Sequence, residues 1–364
     1  MRLWERFLSK LSLPAEEAPT EKTPVEKAPN VNSIPVAPIP PAEVPSPASA
    51  AANRNTQGYP ITYQSFAADG EKMVRPKVFE PALKHFGRAL RLGDPLFNDP
   101  ALRAKWNEAR SEVVCHLVKM VSASRWQESL VLRGSLLLKA WLGDAAREPG
   151  DIDWVFRPMQ AAIDGPESAA LFAELRAMAS KFPATKSAKI DAGKIAVDDI
   201  WTYERASGRR IVFPWTAAGL PPGQAQMDVV FGEDLFTDPV LTQIPLLGAD
   251  SAIVWSATKE MSLAWKLLWL ETDSYPQGKD FYDAVLLAEQ TTPSLPIDLL
   301  ERVLLAGDWR PELPLRADFP LHWSVDWENF QKEYPWILSA GEDWQKRLAA
   351  ALAPLFAARE ADAN

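Results

Sequence analysis

A single cysteine, Cys115, in 364 residues leaves no intramolecular disulfide to be made, and the three histidines do not combine with it at any spacing suited to a zinc site. Positive charge is also scarce: 39 Lys and Arg face 48 Asp and Glu, for a net charge of −9. Such a balance is unsuited to coating nucleic acid or an anionic membrane, because that binding rests on neutralising many phosphates. A small local basic site remains compatible with it. No run of about 18 apolar residues occurs, so no spanning helix is expected, and the first residues lack the unbroken apolar stretch of a signal peptide. With the cysteine usage, this points to a reducing, cytoplasmic setting. What the chain does hold in quantity is aromatic residues. Most of its 15 Trp and 15 Phe must be core or groove residues, since that many exposed rings would aggregate.

Residues 1–13 place Leu3, Trp4, Phe7, Leu8 and Leu11 on one helical face with Arg2, Arg6 and Lys10 elsewhere. This short amphipathic segment reads either as a weakly ordered tail or as a helix that docks on a partner or a membrane surface. From residue 14 to 60 the composition turns to Pro, Ala, Glu and Ser, which cannot build a core and reads as a disordered, extended tether. The folded part starts near Arg75. Helices are expected over Pro81–Leu92 and Asp99–Val121, the second carrying Leu102, Trp106, Val113, Leu117 and Val121 at helical spacing. Leu130–Leu132 is a short apolar run ending in Gly134-Ser135, followed by a helix from Leu136 to Leu142 that Gly143 stops. Asp151–Phe156 alternates as a half-buried strand does, and Glu167–Phe182 is helical. Strands are expected at Ile200–Arg205, Arg209–Pro214 and Ala225–Phe231, with Ala206-Ser207-Gly208 as the hairpin turn between the first two. From Ala257 onward the pattern is helical: Thr258–Glu271, Asp280–Gln290, Ile297–Leu305 and Trp327–Ala358 with breaks. Strands before residue 232 and helices after it predict an α+β lobe over residues 75–245 and a helical lobe over 246–364.

The strongest chemical signal is Gly134-Ser135, then, after a helix and a loop, Asp151-Ile152-Asp153 on a strand. Residues two apart on a strand face one side, so both carboxylates project together about 7 Å apart along the backbone. Two like charges so placed call for cations. Mg²⁺, or Mn²⁺ in its place, takes carboxylate oxygens plus substrate phosphate, and a pair of ions suits phosphoryl-type transfer. A Gly-Ser turn entering a helix offers backbone N–H groups, a hydroxyl and a favourable dipole to a triphosphate. A bare D-x-D is common, and a solvated strand edge is its usual alternative. Asp228, however, interrupts the apolar strand Gln226–Phe231, where a lone carboxylate is costly unless paired or bound to metal. Lys266 is the one charge in a helix apolar nearly all round, so its ammonium needs a counter-charge, unless the side chain snorkels to water. Lys279, Asp280 and Asp283 follow, with the two acids on one face of the next helix. Asp280 reads equally as a simple first-turn acid.

In this order, GS…DID, QMD, the lysine helix and KDFYD resemble the AbiEii/AbiGii-type nucleotidyltransferase toxins of the polymerase-β-like superfamily, over roughly Pro76 to Gln290. The resemblance implies a mixed sheet with flanking helices, followed by a C-terminal helical lobe. It also implies an NTP-dependent transferase in which Gly134 and Ser135 hold phosphates, Asp151 and Asp153 bind metal, and Asp228 is the third acid. Lys266 matches the essential lysine of that family, and Lys279, Asp280 and Asp283 match its final motif. The longer gap between Gly134-Ser135 and Asp151 leaves the shape of that loop, and the role of Arg147, open. Relatives act as toxins of toxin–antitoxin or phage-defence pairs, and some extend the 3′ acceptor end of tRNA, so an RNA acceptor and a cognate antitoxin are implied partners. The residues themselves offer only weak basic patches, at Arg205, Arg209 and Arg210 or at Lys181, Lys186, Lys189 and Lys194, and each reads equally as a solvated polar face. Two other readings compete: a small-molecule nucleotidyltransferase of the antibiotic-modifying kind, and a catalytically silent nucleotide-binding interaction module. Trp309, Trp323, Trp327, Trp336 and Trp344 read as core packing, with one wall of an acceptor groove as the alternative.

Overall fold

The computed structural model describes residues 73–74, 77–79, 90–92, 94–181, 187–200, 206–248, 250–307, 309 and 315–362. The expected amphipathic segment and tether, as well as Lys186 and Arg205, lie outside them.

Two small antiparallel pairings come first. Met73–Val74 (β1) pairs with Leu96–Phe97 (β4), and Lys77–Phe79 (β2) pairs with Leu90–Leu92 (β3). The end of the helix expected over Pro81–Leu92 is therefore a strand; the apolar–polar–apolar triplet Leu90-Arg91-Leu92 follows the strand period. The rest of that span lies outside the described residues. Helix α1, Pro100–Ser122, begins where Asp99 accepts a hydrogen bond from the Ala101 amide at 2.8 Å and Pro100 needs no N–H partner. Trp106, Val113, Leu117 and Val121 form its buried stripe.

The centre is an eight-stranded mixed sheet. Its strands are β5 (Leu130–Arg133), β6 (Ile152–Phe156), β7 (Ala188–Ile190), β8 (Ala196–Asp199), β9 (Gly208–Ala217), β10 (Gly223–Val230), β11 (Val240–Pro245) and β12 (Ser251–Ser256). The order across the sheet is β11-β12-β5-β6-β10-β9-β7, and β8 shares the edge of β9 with β7. Pairing is parallel between β12 and β5 and between β6 and β10, and antiparallel elsewhere. β11 and β12 correct the expectation that strands end before residue 232. Their alternation is blurred because Leu241 and Ile253, both 61 % exposed, add apolar residues to the outward face. Most of the strand expected at Ile200–Arg205, before the turn at Ala206-Ser207-Gly208, falls outside the described residues. The partner of β9 is Ala196–Asp199, and the Ile200 amide donates to the Gly208 carbonyl at 2.8 Å. Residues 201–205 lie outside the described chain.

Among the described residues, seven further helices flank and follow the sheet: α2 (Gly134–Leu142), α3 (Pro166–Ala179), α4 (Lys259–Thr272), α5 (Gly278–Thr291), α6 (Ile297–Ala306), α7 (Trp327–Glu333) and α8 (Gly341–Asp362). α4 starts where the Thr258 hydroxyl accepts from the Met261 amide at 3.1 Å, and it is buried almost all round. α5 packs closely on α7 at Gly278, where any Cβ would collide with Phe330. One apolar cluster unites the sheet, through Trp154, Phe213 and Trp215, with the C-terminal helices, through Phe281, Leu300 and Leu348. Each such side chain contributes roughly 1.5–3 kcal/mol by leaving water. The C-terminal tryptophans divide in use. Trp327 and Trp344 are buried against each other and Tyr282, Trp309 and Trp323 donate their indole N–H groups to Glu271, and Trp336 is 63 % exposed.

A carboxylate-lined candidate active site

The site is assembled by sheet register. Asp153 on β6 stands opposite Arg133 on β5 and opposite Asp228 on β10. Asp228 in turn stands opposite Arg210 on β9, and Arg210 opposite Asp198 on β8. Residues level with one another across neighbouring strands project to the same face, so five charged residues form one row, Arg133–Asp153–Asp228–Arg210–Asp198. Asp151, two residues before Asp153, joins it, and Gln226, two before Asp228, reaches Asp151 Oδ2 from its Nε2 at 3.4 Å. A carboxylate oxygen from each of Asp151, Asp153 and Asp228 lies within 4.8 Å of the other two. Asp228 is buried, and the other two are partly covered.

Three acids at this spacing disturb one another. The Asp153 carboxyl is pushed well above its ordinary range, first by burial and then by the charges of Asp151 and Asp228, against the opposing pull of Arg133 and Lys266. Burial also raises Asp228, with Arg210 the main force against it. The two arginines of the row behave differently. Arg210 folds onto Asp228, donating from Nε at 2.8 Å and from Nη2 at 2.6 Å to both carboxylate oxygens. Arg133 turns to Glu233 at 2.5 Å, and its guanidinium carbon is 5.2 Å from the ring centres of both Trp265 and Trp269.

The turn at the head of α2 borders the acids. Gly134 has φ +76°, a region disfavoured for side chains, and a Cβ there would collide with Asp153 Oδ2. Ser135 is 2 % exposed, and its Oγ has no hydrogen-bond partner among the described residues. The second half of the site comes from α4 and α5. Lys266 Nζ contacts Asp280 Oδ1 at 2.6 Å and Asp283 Oδ2 at 3.3 Å. The expectation that this buried ammonium needs a counter-charge is met by these two acids, and snorkelling to water does not occur at 4 % exposure. Arg147, from the loop before β6, makes a two-pronged pair with Asp283 at 3.1 and 3.0 Å. Burial, the largest single influence, opposes its charge, but Asp283, Tyr334 and Asp151 together outweigh it and hold the guanidinium well above its ordinary value. Burial likewise raises Asp280, but Lys266, Lys279 and Arg147 together bring it below the usual carboxylate range. Tyr334, just after α7, is pushed up by burial, with Arg147 as its main counterweight and hydrogen-bond partner. Arg147 also feels Asp151, which links the two halves.

Asp151, Asp153, Asp228, Gly134 and Ser135 are thus neighbours, while Lys266, Asp280 and Asp283 form an ion-pair group whose lysine acts on Asp153. Lys279 lies close enough to act on both Asp228 and Asp280. Sequence reading missed the placing of Arg210, Arg133, Gln226 and Tyr334. For Arg210 a signal existed: counting back from Asp228 across the β10–β9 turn lands on it, once the turn length is known. The basic patches are also altered. Arg209 is paired with Asp164 and Asp199, Arg210 with Asp228, and Lys194 with Asp191.

Comparison with curated proteins finds no match. A family model described as nucleotidyl transferase AbiEii toxin, type IV TA system, matches residues 116–352 and so spans every residue of the site.

Proposed function

The chain belongs to the AbiEii nucleotidyl transferase toxin family, and from that premise we propose that it moves a nucleotidyl group from an NTP to an RNA acceptor, tRNA being the favoured one, with Mg²⁺ held by Asp151, Asp153 and Asp228. The convergence of these three carboxylates beside the Gly134-Ser135 turn carries the reading. The donor set fits the ion: all ligands are hard carboxylate oxygens, they lie within 4.8 Å of one another, and burial followed by mutual repulsion raises Asp153, a strain that a cation would relieve. Mn²⁺ suits the same set, and two ions are accommodated once phosphate oxygens complete the shells. When bound, the metal neutralises charge on the phosphates and activates the attacking oxygen.

The chain's own residues supply the rest. The N–H groups at the head of α2 and the unpartnered Ser135 hydroxyl receive phosphate oxygens. Gly134 allows the phosphate-binding turn and Asp153 to approach closely. Lys266 and Lys279 supply positive charge near the acids, and Asp280 and Asp283 aim Lys266. Arg147 fixes Asp283 from behind. In the transfer, the acceptor hydroxyl oxygen bonds to the α-phosphorus and loses its proton to water. The bond from that phosphorus to the β-phosphate oxygen breaks, and pyrophosphate leaves with the electron pair. Membership of a type IV toxin–antitoxin family brings a cognate antitoxin as partner.

A small-molecule acceptor is the second reading, favoured by the acids that already neutralise Arg209, Arg210 and Lys194. Incubation with each labelled NTP, Mg²⁺ and total RNA separates the two. Label on RNA that disappears with Asp151→Ala supports the proposal. Label only on a small acceptor replaces the substrate, and tight NTP binding without any transfer removes the enzyme.

A further inference from the structure

Resting on that reading, we infer that Arg210 is a positioning residue that sets the third carboxylate, Asp228, for divalent-cation binding. Two arginines flank the paired acids in the charged row: Arg133 acts on Asp153 through its charge, and Arg210 forms a two-pronged pair with Asp228. Arg133 is committed to Glu233 and two indoles, whereas Arg210 gives both prongs of its guanidinium to the two oxygens of Asp228. A planar fork on a carboxylate fixes the plane of that carboxylate as well as its position, which a single ammonium cannot do.

Asp228 needs such a partner more than its neighbours do, since it is 1 % exposed while Asp151 and Asp153 reach water. A buried carboxylate without a partner carries a large desolvation cost. The pairing does not exhaust Asp228. An ionised carboxylate offers about four lone-pair sites, and a bidentate guanidinium takes about two, which leaves one on each oxygen for a cation. The same β9–β10 hairpin also serves Asp151 through Gln226, so it orients two of the three acids. Arg209, next along β9, points to the opposite face and pairs with Asp164 and Asp199, which makes it the natural control.

The test measures Mn²⁺ binding to the full chain by electron paramagnetic resonance without nucleotide, beside thermal melting. Arg210→Lys keeps the charge and loses the fork. The expected result is a folded protein that binds Mn²⁺ about 10–100-fold more weakly, the usual loss when a group orienting a metal ligand is replaced. Arg210→Gln keeps a planar donor and should fall between the two, and it serves as the second variant if the lysine form does not fold. Arg209→Lys should bind as the unaltered protein does. A folded Arg210→Lys with undiminished Mn²⁺ affinity would overturn the inference alone. An unaltered protein that binds no more Mn²⁺ than Asp153→Asn overturns the metal reading beneath it.

Discussion

Replacing Gly134 with alanine adds one methyl group at the point where backbone and acid meet most closely. Two costs follow, and they are separable. The first is conformational: at φ +76° an L side chain costs about 1–2 kcal/mol, since this region brings Cβ against the carbonyl. The second is steric. The new Cβ would overlap Asp153 Oδ2, so either the carboxylate or the turn must move by about 1 Å to restore van der Waals distance. A displacement of that size at a reacting centre costs about 100-fold in rate. Gly219, in the β9–β10 turn, has φ +71° with nothing within 4 Å of the position a Cβ would occupy, so Gly219→Ala carries the first cost without the second. For a chain of this length 1–2 kcal/mol lowers the melting temperature by a few degrees, about 2–4 °C per kcal/mol. Both variants should therefore melt slightly early, and only Gly134→Ala should lose transfer. The assay pairs differential scanning calorimetry with single-turnover transfer from labelled NTP. Equal turnover in the two variants would refute the steric argument, and with it the placing of the turn against Asp153.

Asp283→Asn breaks a buried pair with Arg147 and Lys266 at 1 % exposure, and a loss of about 3–5 kcal/mol in urea unfolding is expected. Lys266→Met should fold, since Arg147 still holds Asp283, yet lose transfer; normal turnover would remove the lysine from the site. Asp153 titrates above its unfolded value, so in metal-free protein its contribution to stability is present at low pH and is lost as pH rises through the folded value. Asp153→Asn should accordingly melt higher than the unaltered protein at pH 7 without metal, with the gap closing toward pH 4. Adding Mg²⁺ should raise the melting temperature of the unaltered protein and leave that of Asp153→Asn nearly unmoved, a selective ligand effect on the folded state.

Much of the site is legible in the sequence because it sits on regular elements. Asp151 and Asp153 declare a shared face by strand period, Asp228 stands out among apolar neighbours, and Lys266 stands out in an apolar helix. What could not be read depends on distances in space rather than along the chain. Arg210 meets Asp228 only through the β9–β10 register, and Arg147 reaches Asp283 from a loop with no period. β11 and β12 escaped notice because apolar residues occupy both of their faces. The partners of Arg209, Asp164 and Asp199, are acids that no spacing rule connects to it, whereas the partner of Lys194 is Asp191, only three residues back; in both cases pairing removed charge that composition had counted as available.

The charged row across β5, β6, β10 and β9 has a bearing on when the acid cluster is complete during synthesis. Its members come from residues 133 to 228, and the lysine that faces them comes later still, at 266. A ribosome-bound fragment ending before β10 holds two acids and no third, and a strand slipped by one residue sends its charge to the wrong side. Truncated or misregistered chains therefore lack the three-acid cluster, which is complete only once β6 and β10 pair in register.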